Sequence, residues 1–322
     1  MMKRLTRETF TGPWAGLPVA WSADGGFDEA TFRGDVRRCC EAGIPGVYTG
    51  GTTGEFYAIE IDEFAEISRA TVEECHAHDT PAMIGCSATS TTGAVRRAEI
   101  AAGLGADAIQ VTLPFWMEVG DAQIVDFFQT VAEASGGLPF SVYETLRCKR
   151  ALTVGQHRVI ADAIPSYQMV KSNAGTVGAT PEGCRELSEF VNVFVAETRW
   201  PELGPCGAKG CCSAMVYWNP KLVLERWSQV ASGDWQDVDH FQEKTVALHK
   251  FLGSEFSPRG FTDSAYDRLC GTALGILETS LRCRGPYPHA LPEDVDTIRD
   301  WCREIFPEMM NQWHGHPAHE SK

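Results

Sequence analysis

The segment Tyr167-Gln168-Met169-Val170-Lys171-Ser172-Asn173 is a short apolar run that ends close to a lysine. Its composition is typical of a buried strand, which places Lys171 at the strand's carboxyl end. An earlier run, Pro139-Phe140-Ser141-Val142-Tyr143, ends in the same way in a tyrosine. Barrel enzymes carry their catalytic side chains at the carboxyl ends of parallel strands. The two segments therefore suggest a barrel with Lys171 and Tyr143 at its mouth.

Strand and helix patterns alternate on both sides of this pair. This alternation predicts parallel βα units with right-handed crossovers, and eight such units close a (β/α)8 TIM barrel. The strand patterns lie at about residues 14–20, 45–49, 81–86, 107–112, 139–143, 167–173, 191–196 and, least distinctly, 210–213. The helix patterns between them lie at about residues 28–42, 60–76, 92–104, 121–134, 154–163 and 181–190.

After Asn219-Pro220 only helix patterns remain, at about residues 221–232, 237–252, 264–277 and 292–304. We expect a barrel over residues 10–235 that carries the active site, with a C-terminal helical extension of the same domain over residues 236–310. Residues 311–322 are expected to form a frayed tail, whose histidines would bind a metal only adventitiously.

Composition and charge exclude several classes of partner. Lys and Arg number 28 against 43 Asp and Glu, and the resulting net charge of −15 would repel nucleic acid and anionic membrane surfaces. The basic start lacks the apolar run of a secretory signal, and no stretch reaches the roughly 18 apolar residues of a membrane span. We therefore expect a cytoplasmic protein whose 12 cysteines are free thiols, and their spacing matches no metal site.

The chemistry of the two strand ends follows from their side chains. A lysine amine condenses with a ketone to form a Schiff base, and a nearby phenol can shuttle the protons of that condensation. Gly50-Gly51-Thr52-Thr53-Gly54-Glu55 follows the second strand, and its amides and hydroxyls would suit a small carboxylate. Each feature also has an ordinary alternative: a solvated lysine, a packing tyrosine and a glycine-rich turn.

In combination, these features resemble the Schiff-base aldolase and dehydratase superfamily that contains dihydrodipicolinate synthase and N-acetylneuraminate lyase. The resemblance covers about residues 10–220, and the helical remainder also suits the family. The matching features, in chain order, are Gly51-Thr52-Thr53-Gly54-Glu55, Tyr143, Lys171, Gly207-Ala208-Lys209-Gly210-Cys211-Cys212-Ser213 and Asn219-Pro220.

The resemblance implies that Lys171 forms an imine with the ketone of pyruvate or another 2-oxo acid. Tyr143 and Thr52 would serve the proton transfers, Gly51, Thr52 and Thr53 would hold the substrate carboxylate, and Cys212 would contact the substrate. It implies no cofactor and no metal, because the protonated imine is itself the electron sink. It also implies a homo-oligomer, either a tetramer or a dimer. Burial at the barrel mouth is expected to lower the pKa of Lys171.

The chain departs from the family pattern at several positions. Tyr143 is followed by Glu144, where the family usually has asparagine. Strand alternation turns Glu144 away from the face of Tyr143, so we expect it to brace a neighbour. Cys148 stands where dihydrodipicolinate synthase places an arginine, and Trp116 stands where that synthase uses a tyrosine from the neighbouring subunit. These two differences argue against a role in lysine biosynthesis.

Pro114-Phe115-Trp116 and the segments 256–260, 284–287 and 291–294 look more like the hydratase-aldolase branch, which cleaves arylidene-pyruvates to an aldehyde and pyruvate. Phe115 and Trp116 would then line an apolar aldehyde pocket, or they pack between subunits. The resemblance favours an aldolase acting with pyruvate. The alternatives are a dehydratase or deaminase of a hydroxylated 2-oxo acid from sugar acid or hydroxyproline breakdown, and a non-catalytic 2-oxo acid-binding barrel.

Overall fold

The computed structural model of the protein describes residues 5–310, so the expected tail, 311–322, and its histidines lie outside the described residues. Eight parallel strands pair in chain order and close into a barrel, with the last strand paired to the first. This confirms the predicted (β/α)8 fold. The strands are β1 (Gly12–Gly16), β2 (Val47–Thr49), β3 (Ala82–Gly85), β4 (Ala108–Val111), β5 (Phe140–Glu144), β6 (Tyr167–Ser172), β7 (Asn192–Phe194) and β8 (Ala208–Ser213).

The helices cover the outside of the barrel and continue beyond it. The predicted helices are all present with similar bounds, and the sequence patterns missed only the two short helices on either side of β8. The helices are α1 (Glu29–Glu41), α2 (Ile61–Ala77), α3 (Thr91–Gly103), α4 (Asp121–Ala134), α5 (Val154–Ala163), α6 (Pro181–Ser188), α7 (Trp200–Leu203), α8 (Met215–Trp218), α9 (Pro220–Ser232), α10 (Val238–Phe256), α11 (Asp263–Ala273) and α12 (Pro292–Ile305).

Strand β1 differs most from its prediction, which placed it at residues 14–20. Leu17 still donates its N–H to the carbonyl of Tyr48 at 2.9 Å, but Pro18 has no N–H to continue the ladder. The chain then leaves the sheet and stays buried, and the carbonyl of Val19 accepts a hydrogen bond from Arg268. The predicted strand is therefore correct only for its first half, and its second half packs outside the sheet.

Two apolar layers hold the barrel. The larger layer lies between strands and helices, and it is continuous with the C-terminal helices through Phe241, Leu248 and Ile298. The smaller layer fills the barrel interior, as is usual for this fold. Its buried members are Leu5, Phe10, Trp14, Tyr48, Met83, Ala108, Met169 and Phe194.

A buried ion pair ties helix α11 to the turn that follows β2. Arg268 and Glu55 are both fully buried and form a salt bridge, and Trp21 donates its indole N–H to Glu55 at 2.6 Å. Glu55 has a φ of 55°, in the left-handed region that a glutamate rarely adopts. The pair, which we call the Glu55–Arg268 bridge, holds α11 over the carboxyl ends of the strands, where it overhangs the barrel mouth.

Within residues 5–310, no helix has both the length and the apolar character needed to cross a membrane. All 12 cysteines are free thiols, and all except Cys212 are buried. Over the same residues there is no group of three or more His, Cys, Asp or Glu side chains placed to hold a metal ion.

Candidate active site

The structure brings Lys171 and Tyr143 together at the mouth of the barrel. Strands β5 and β6 pair with Tyr143 directly opposite Lys171. The ammonium nitrogen of Lys171 lies 4.1 Å from the ring centroid of Tyr143 and 5.7 Å from that of Tyr48. Lys171 is half-buried and Tyr143 is buried. The lysine is therefore partly accessible, and it is flanked by two aromatic rings.

The hydroxyl of Tyr143 belongs to a short hydrogen-bonded chain. It shares a hydrogen bond of 3.2 Å with the hydroxyl of Thr52, and the side-chain amide of Asn173 donates to it at 3.3 Å. Thr52 comes from the turn after β2, and Asn173 directly follows β6. Hydroxyl groups both donate and accept, so this chain can pass a proton across the barrel mouth.

The surroundings of Lys171 act on its pKa in two directions. Burial lowers the pKa, but electrostatic interactions with Tyr143, with the cysteines of β8 and with Asp263 outweigh it, so the pKa lies above its usual value. Burial therefore acts on Lys171 in the expected direction, but the expectation of a lowered pKa is wrong. The ammonium form dominates at neutral pH, and a proton must leave Lys171 before it can attack a carbonyl.

A cavity of about 470 Å³ opens beside Lys171, and we call it the main cavity. Both the barrel strands and the C-terminal helices contribute to its wall, and the wall is rich in carboxyl and hydroxyl groups. The barrel contributes Tyr48, Thr53, Tyr143, Lys171, Glu197 and Cys212, and the C-terminal helices and the segments beside them contribute His249, Ser257, Asp263, Tyr266 and Asp267.

The turn after β2 supplies Thr52 and Thr53 to different parts of the site. Thr53 lines the main cavity, and its hydroxyl donates to the Asp267 carboxylate at 2.6 Å. Thr52 faces Tyr143 instead. Gly51 packs against Tyr48, because a Cβ at position 51 would lie 2.2 Å from the phenol oxygen of Tyr48 and would displace its ring.

A second, smaller cavity of about 240 Å³ adjoins the first, with Tyr143 in the wall of both. We call it the aromatic cavity. Phe56 and Phe115 pack edge to face with ring centroids 5.6 Å apart, and Tyr57 and Tyr287 pack likewise at 5.0 Å. The other lining residues are Thr52, Thr112, Thr145, Arg147, Cys148 and Thr262.

Cys148 lies inside this aromatic cavity, at the position where the synthase pattern has an arginine. Its thiol lies 2.7 Å from the hydroxyl of Thr112 and donates to the carbonyl of Leu113 at 3.2 Å. Burial raises the pKa of Cys148, so the thiol is neutral at physiological pH. Position 148 therefore offers no positive charge to a second carboxylate.

Trp116 does not line either cavity. Its side chain is 75% exposed, and the ammonium group of Lys149 lies 5.7 Å from its ring. Phe115 points inward and packs against Phe56, whereas Trp116 points outward. In the isolated chain, the aromatic side chain from this loop that reaches the site is Phe115 rather than Trp116.

Cys212 and Glu144 lie where the sequence analysis expected them. Cys212 is half-buried in the wall of the main cavity, and Gln110 donates to its sulfur at 3.8 Å. Glu144 is buried on the opposite face of β5, where it accepts the N–H of Leu152 at 2.7 Å and contacts His157 at 3.2 Å. The expectation that Glu144 braces its neighbours is confirmed.

Sequence reasoning missed several residues of this site, including Tyr48 and Glu197 on the barrel and the acidic residues of the C-terminal helices. Asp263 and Asp267 begin α11 at a spacing of four, which puts both on one helix face. That spacing was the available signal, but it does not say what the face meets. Asp263 also forms a half-exposed ion pair of 2.8 Å with Arg147.

Comparison with known proteins agrees with this arrangement. Residues 9–268 match the model of the dihydrodipicolinate synthetase family. The 4-hydroxy-tetrahydrodipicolinate synthase of Acidovorax sp. (strain JS42) is 26% identical over 275 residues, which cover 84% of this chain and 91% of that protein.

Solved structures share the fold at low identity. A prophage protein of the dihydrodipicolinic acid synthase family from E. coli K12, in complex with pyruvate, has a TM-score of 0.82 and 18% identity over 92% of this chain and 98% of its own. The N-acetylneuraminate lyase of Proteus mirabilis has a TM-score of 0.79 and 18% identity over 91% and 98% of the two chains. The chain therefore belongs to the dihydrodipicolinate synthetase family, and it is a class I lyase, an enzyme that works through a lysine Schiff base.

Proposed function

We propose that this lyase breaks or forms a carbon–carbon bond next to the ketone of pyruvate, with Lys171 as the Schiff-base residue. The proposal rests on one observation. The Lys171 ammonium lies 4.1 Å from the ring of Tyr143, and the Tyr143 hydroxyl is hydrogen-bonded to the Thr52 hydroxyl. This constellation opens into a cavity of about 470 Å³. The pyruvate complex of the E. coli relative supports pyruvate as the 2-oxo acid.

In the proposed reaction, the Tyr143–Thr52 chain relays protons from Lys171 to the oxygen of the substrate ketone as the amine attacks the carbonyl carbon. Loss of water then leaves a protonated imine. In the cleavage direction, Tyr143 accepts the proton of the substrate's 4-hydroxyl group and passes its own phenolic proton through the hydroxyl of Thr52 to solvent as the C3–C4 bond breaks. The bonding electrons move into the imine, which becomes an enamine, and an aldehyde leaves. Protonation of C3 and hydrolysis then release pyruvate and restore Lys171.

Recognition of the 2-oxo acid is assigned to the turn after β2 and to the wall of the main cavity. Gly51, Thr52 and Thr53 would hold the carboxylate with their amides and hydroxyls, and Cys212 would contact the pyruvyl group. The hydroxyls of Thr52 and Thr53 lie in different parts of the site: the Thr52 hydroxyl contacts Tyr143, and Thr53 lines the main cavity.

The aromatic cavity favours an aldehyde with an aromatic or other apolar group, as in a hydratase-aldolase. Phe56, Phe115, Tyr57 and Tyr287 supply flat apolar surface, and Tyr143 connects this cavity to Lys171. Planar substituents pack well against such edge-to-face ring pairs. An aromatic aldehyde bound here would have its carbonyl directed towards Tyr143.

A second candidate is a dehydratase or deaminase of a hydroxylated 2-oxo acid. The polar wall of the main cavity favours it, because Glu197, Asp263, Ser257 and Tyr266 can bond hydroxyl or amino groups. The same imine would support elimination of water or ammonia. The product distinguishes the two reactions: an aldehyde with pyruvate, or a dehydrated 2-oxo acid.

The proposed assembly is a homotetramer or homodimer in the cytoplasm. Three apolar side chains stand exposed near the rim of the aromatic cavity: Trp116 at 75%, Met117 at 72% and Leu146 at 52%. Contact with a second copy of the chain would bury them. The free thiols of the cysteines suit a reducing compartment.

Borohydride trapping with pyruvate, followed by intact-mass measurement and peptide mapping, tests the proposal. The expected adduct lies on the peptide that contains Lys171 and is absent from Lys171→Ala. Lys209→Ala is the matched control, because Lys209 is an exposed lysine of strand β8, and this variant should trap pyruvate normally. If neither pyruvate nor a hydroxylated 2-oxo acid gave an adduct on the wild-type enzyme, the proposed function would be refuted.

A further inference from the structure

Thr53 and Asp267 form a contact that the proposed chemistry does not explain. The Thr53 hydroxyl donates to the Asp267 carboxylate at 2.6 Å, and both residues line the main cavity with Lys171. A hydroxyl has a single proton to donate. While Asp267 is ionised, that proton is committed to it, so Thr53 cannot also donate to a substrate carboxylate.

Binding of a 2-oxo acid would make this conflict worse. Its carboxylate at Thr53 would bring a second negative charge next to Asp267, and two carboxylates that share a site cannot both remain ionised at low cost. Asp263 and Glu197 add further negative charge to the same wall, and the positive charges beside them are Lys171 and the Arg147 that pairs with Asp263. The conflict is removed if Asp267 becomes neutral.

The environment of Asp267 makes this neutral form accessible. Burial raises the pKa of Asp267 to about 7, and this is the largest effect. The hydrogen bond from Thr53 lowers the pKa, Asp263 raises it, Lys171 lowers it and Glu197 raises it. An additional anion at Thr53 would raise the pKa of Asp267 further.

We propose that Asp267 is a positioning residue for the 2-oxo acid, and that it takes up one proton as the substrate binds. The protonated carboxyl then donates to the oxygen of Thr53, and the Thr53 hydroxyl turns its own proton to the substrate carboxylate. This inference rests on the proposed function, since it requires the carboxylate to bind at the turn after β2.

Imine formation does not itself change the proton count. Lys171 begins as an ammonium group with three protons and ends as an iminium nitrogen with one, and the other two leave with the ketone oxygen as water. The positive charge is conserved. Net proton uptake on binding therefore reports a group other than Lys171.

The other titratable groups near Asp267 keep their charge between pH 7 and 8.5. Burial raises the pKa of Tyr217 and of Cys270 well above the usual values, so both stay neutral. Desolvation lowers the pKa of His249 although Glu197 raises it, so His249 is uncharged in this range. Lys171, with its raised pKa, stays charged. A change of binding across this window thus points to Asp267.

Calorimetric titration of the whole enzyme with pyruvate, in buffers of different ionisation enthalpy, counts the protons taken up. Near one proton per site is expected at pH 8.5, falling towards none at pH 6. Because only the protonated form binds, apparent affinity should be constant below the pKa of Asp267 and fall about tenfold per pH unit above it. Asp267→Asn should abolish the uptake and hold affinity within about twofold between pH 7 and 8.5, since linkage needs a titrating group.

Asp263→Asn is the matched control, because it neutralises a neighbouring carboxyl of the same helix face and should keep both the proton uptake and the pH slope. Thr53→Val should weaken pyruvate binding while flattening the slope, and Thr53→Ser should restore both. A wild-type affinity that is flat from pH 7 to 8.5, or a tenfold slope that persists in Asp267→Asn, would overturn the inference. An adduct on Lys171 without proton uptake would refute this inference alone, whereas failure to trap any 2-oxo acid on Lys171 would refute the proposed function.

Discussion

Replacing Tyr143 by Phe separates the contribution of its hydroxyl group from that of its aromatic ring. The variant keeps the ring that lies 4.1 Å from the Lys171 ammonium and removes only the hydroxyl. That hydroxyl carries the hydrogen bonds to Thr52 and Asn173 at 3.2 and 3.3 Å, so the proton path is cut while the ring contact remains. A positioned acid–base group contributes about 10²- to 10⁴-fold in rate. This corresponds to about 3 to 5 kcal/mol of activation free energy for imine formation.

The same substitution also changes the pKa of Lys171, and this second effect should speed imine formation rather than slow it. Among the interactions that raise the pKa of Lys171, the one with Tyr143 is the largest, so the pKa should fall in the variant. More free amine would then be present at a given pH, which alone would speed the attack. A slower reaction at neutral pH would therefore mean that the lost proton path outweighs the gain in free amine.

Rapid-quench borohydride trapping with pyruvate measures the rate of imine formation directly. Thr52→Val is the control, because it interrupts the same hydroxyl chain from the other end and leaves the phenol in place. If both act on one path, the double variant should be only slightly slower than Tyr143→Phe. An unchanged rate in a correctly folded Tyr143→Phe enzyme would remove Tyr143 from the proton transfers.

Three further substitutions test other parts of the structure. Lys171→Ala should retain the native circular dichroism spectrum and lose all turnover, and full activity would contradict the mechanism. Arg268→Met leaves the buried Glu55 carboxylate without its cation, so the free energy of unfolding in urea should fall by about 3 to 5 kcal/mol. Adding Glu55→Gln to that variant should recover part of the lost stability. A double variant less stable than Arg268→Met alone would contradict the role of the pair. Glu144→Ala leaves the N–H of Leu152 buried without an acceptor and should cost about 1 to 3 kcal/mol of stability, while trapping on Lys171 stays within a few-fold; a large loss of trapping would give Glu144 a place in the chemistry.

The barrel and its reactive pair were predictable because they depend on short-range pattern and on a general property of parallel sheets. Consecutive parallel strands present their carboxyl ends at one edge, so Tyr143 and Lys171 had to lie near each other once β5 and β6 were recognised. Even the least distinct strand pattern, at residues 210–213, lies within β8.

The acidic wall of the main cavity was not predictable in the same way. An amphipathic pattern tells which face of α11 is buried, but not where the helix docks, and Asp267 meets Thr53 across more than two hundred residues of chain. The raised pKa of Lys171 was missed for a different reason: the interactions with Tyr143 and the cysteines of β8, and to a smaller extent with Asp263, outweigh burial only once their distances are known. Trp116 was predicted to line the aldehyde pocket, but its side chain is exposed, because the sequence of a loop does not say which of its side chains points inward.

The Glu55–Arg268 bridge limits which C-terminal helices can be exchanged between proteins of this fold. Glu55 follows Thr53 by two residues, and Arg268 directly follows Asp267, so one buried contact aligns both halves of the carboxylate site. A shortened chain that ended before α11 would leave the Glu55 carboxylate without its cation. Exchange of C-terminal helices between relatives, a direct route to new substrate range, would therefore succeed only where donor and recipient supply this glutamate and this arginine together.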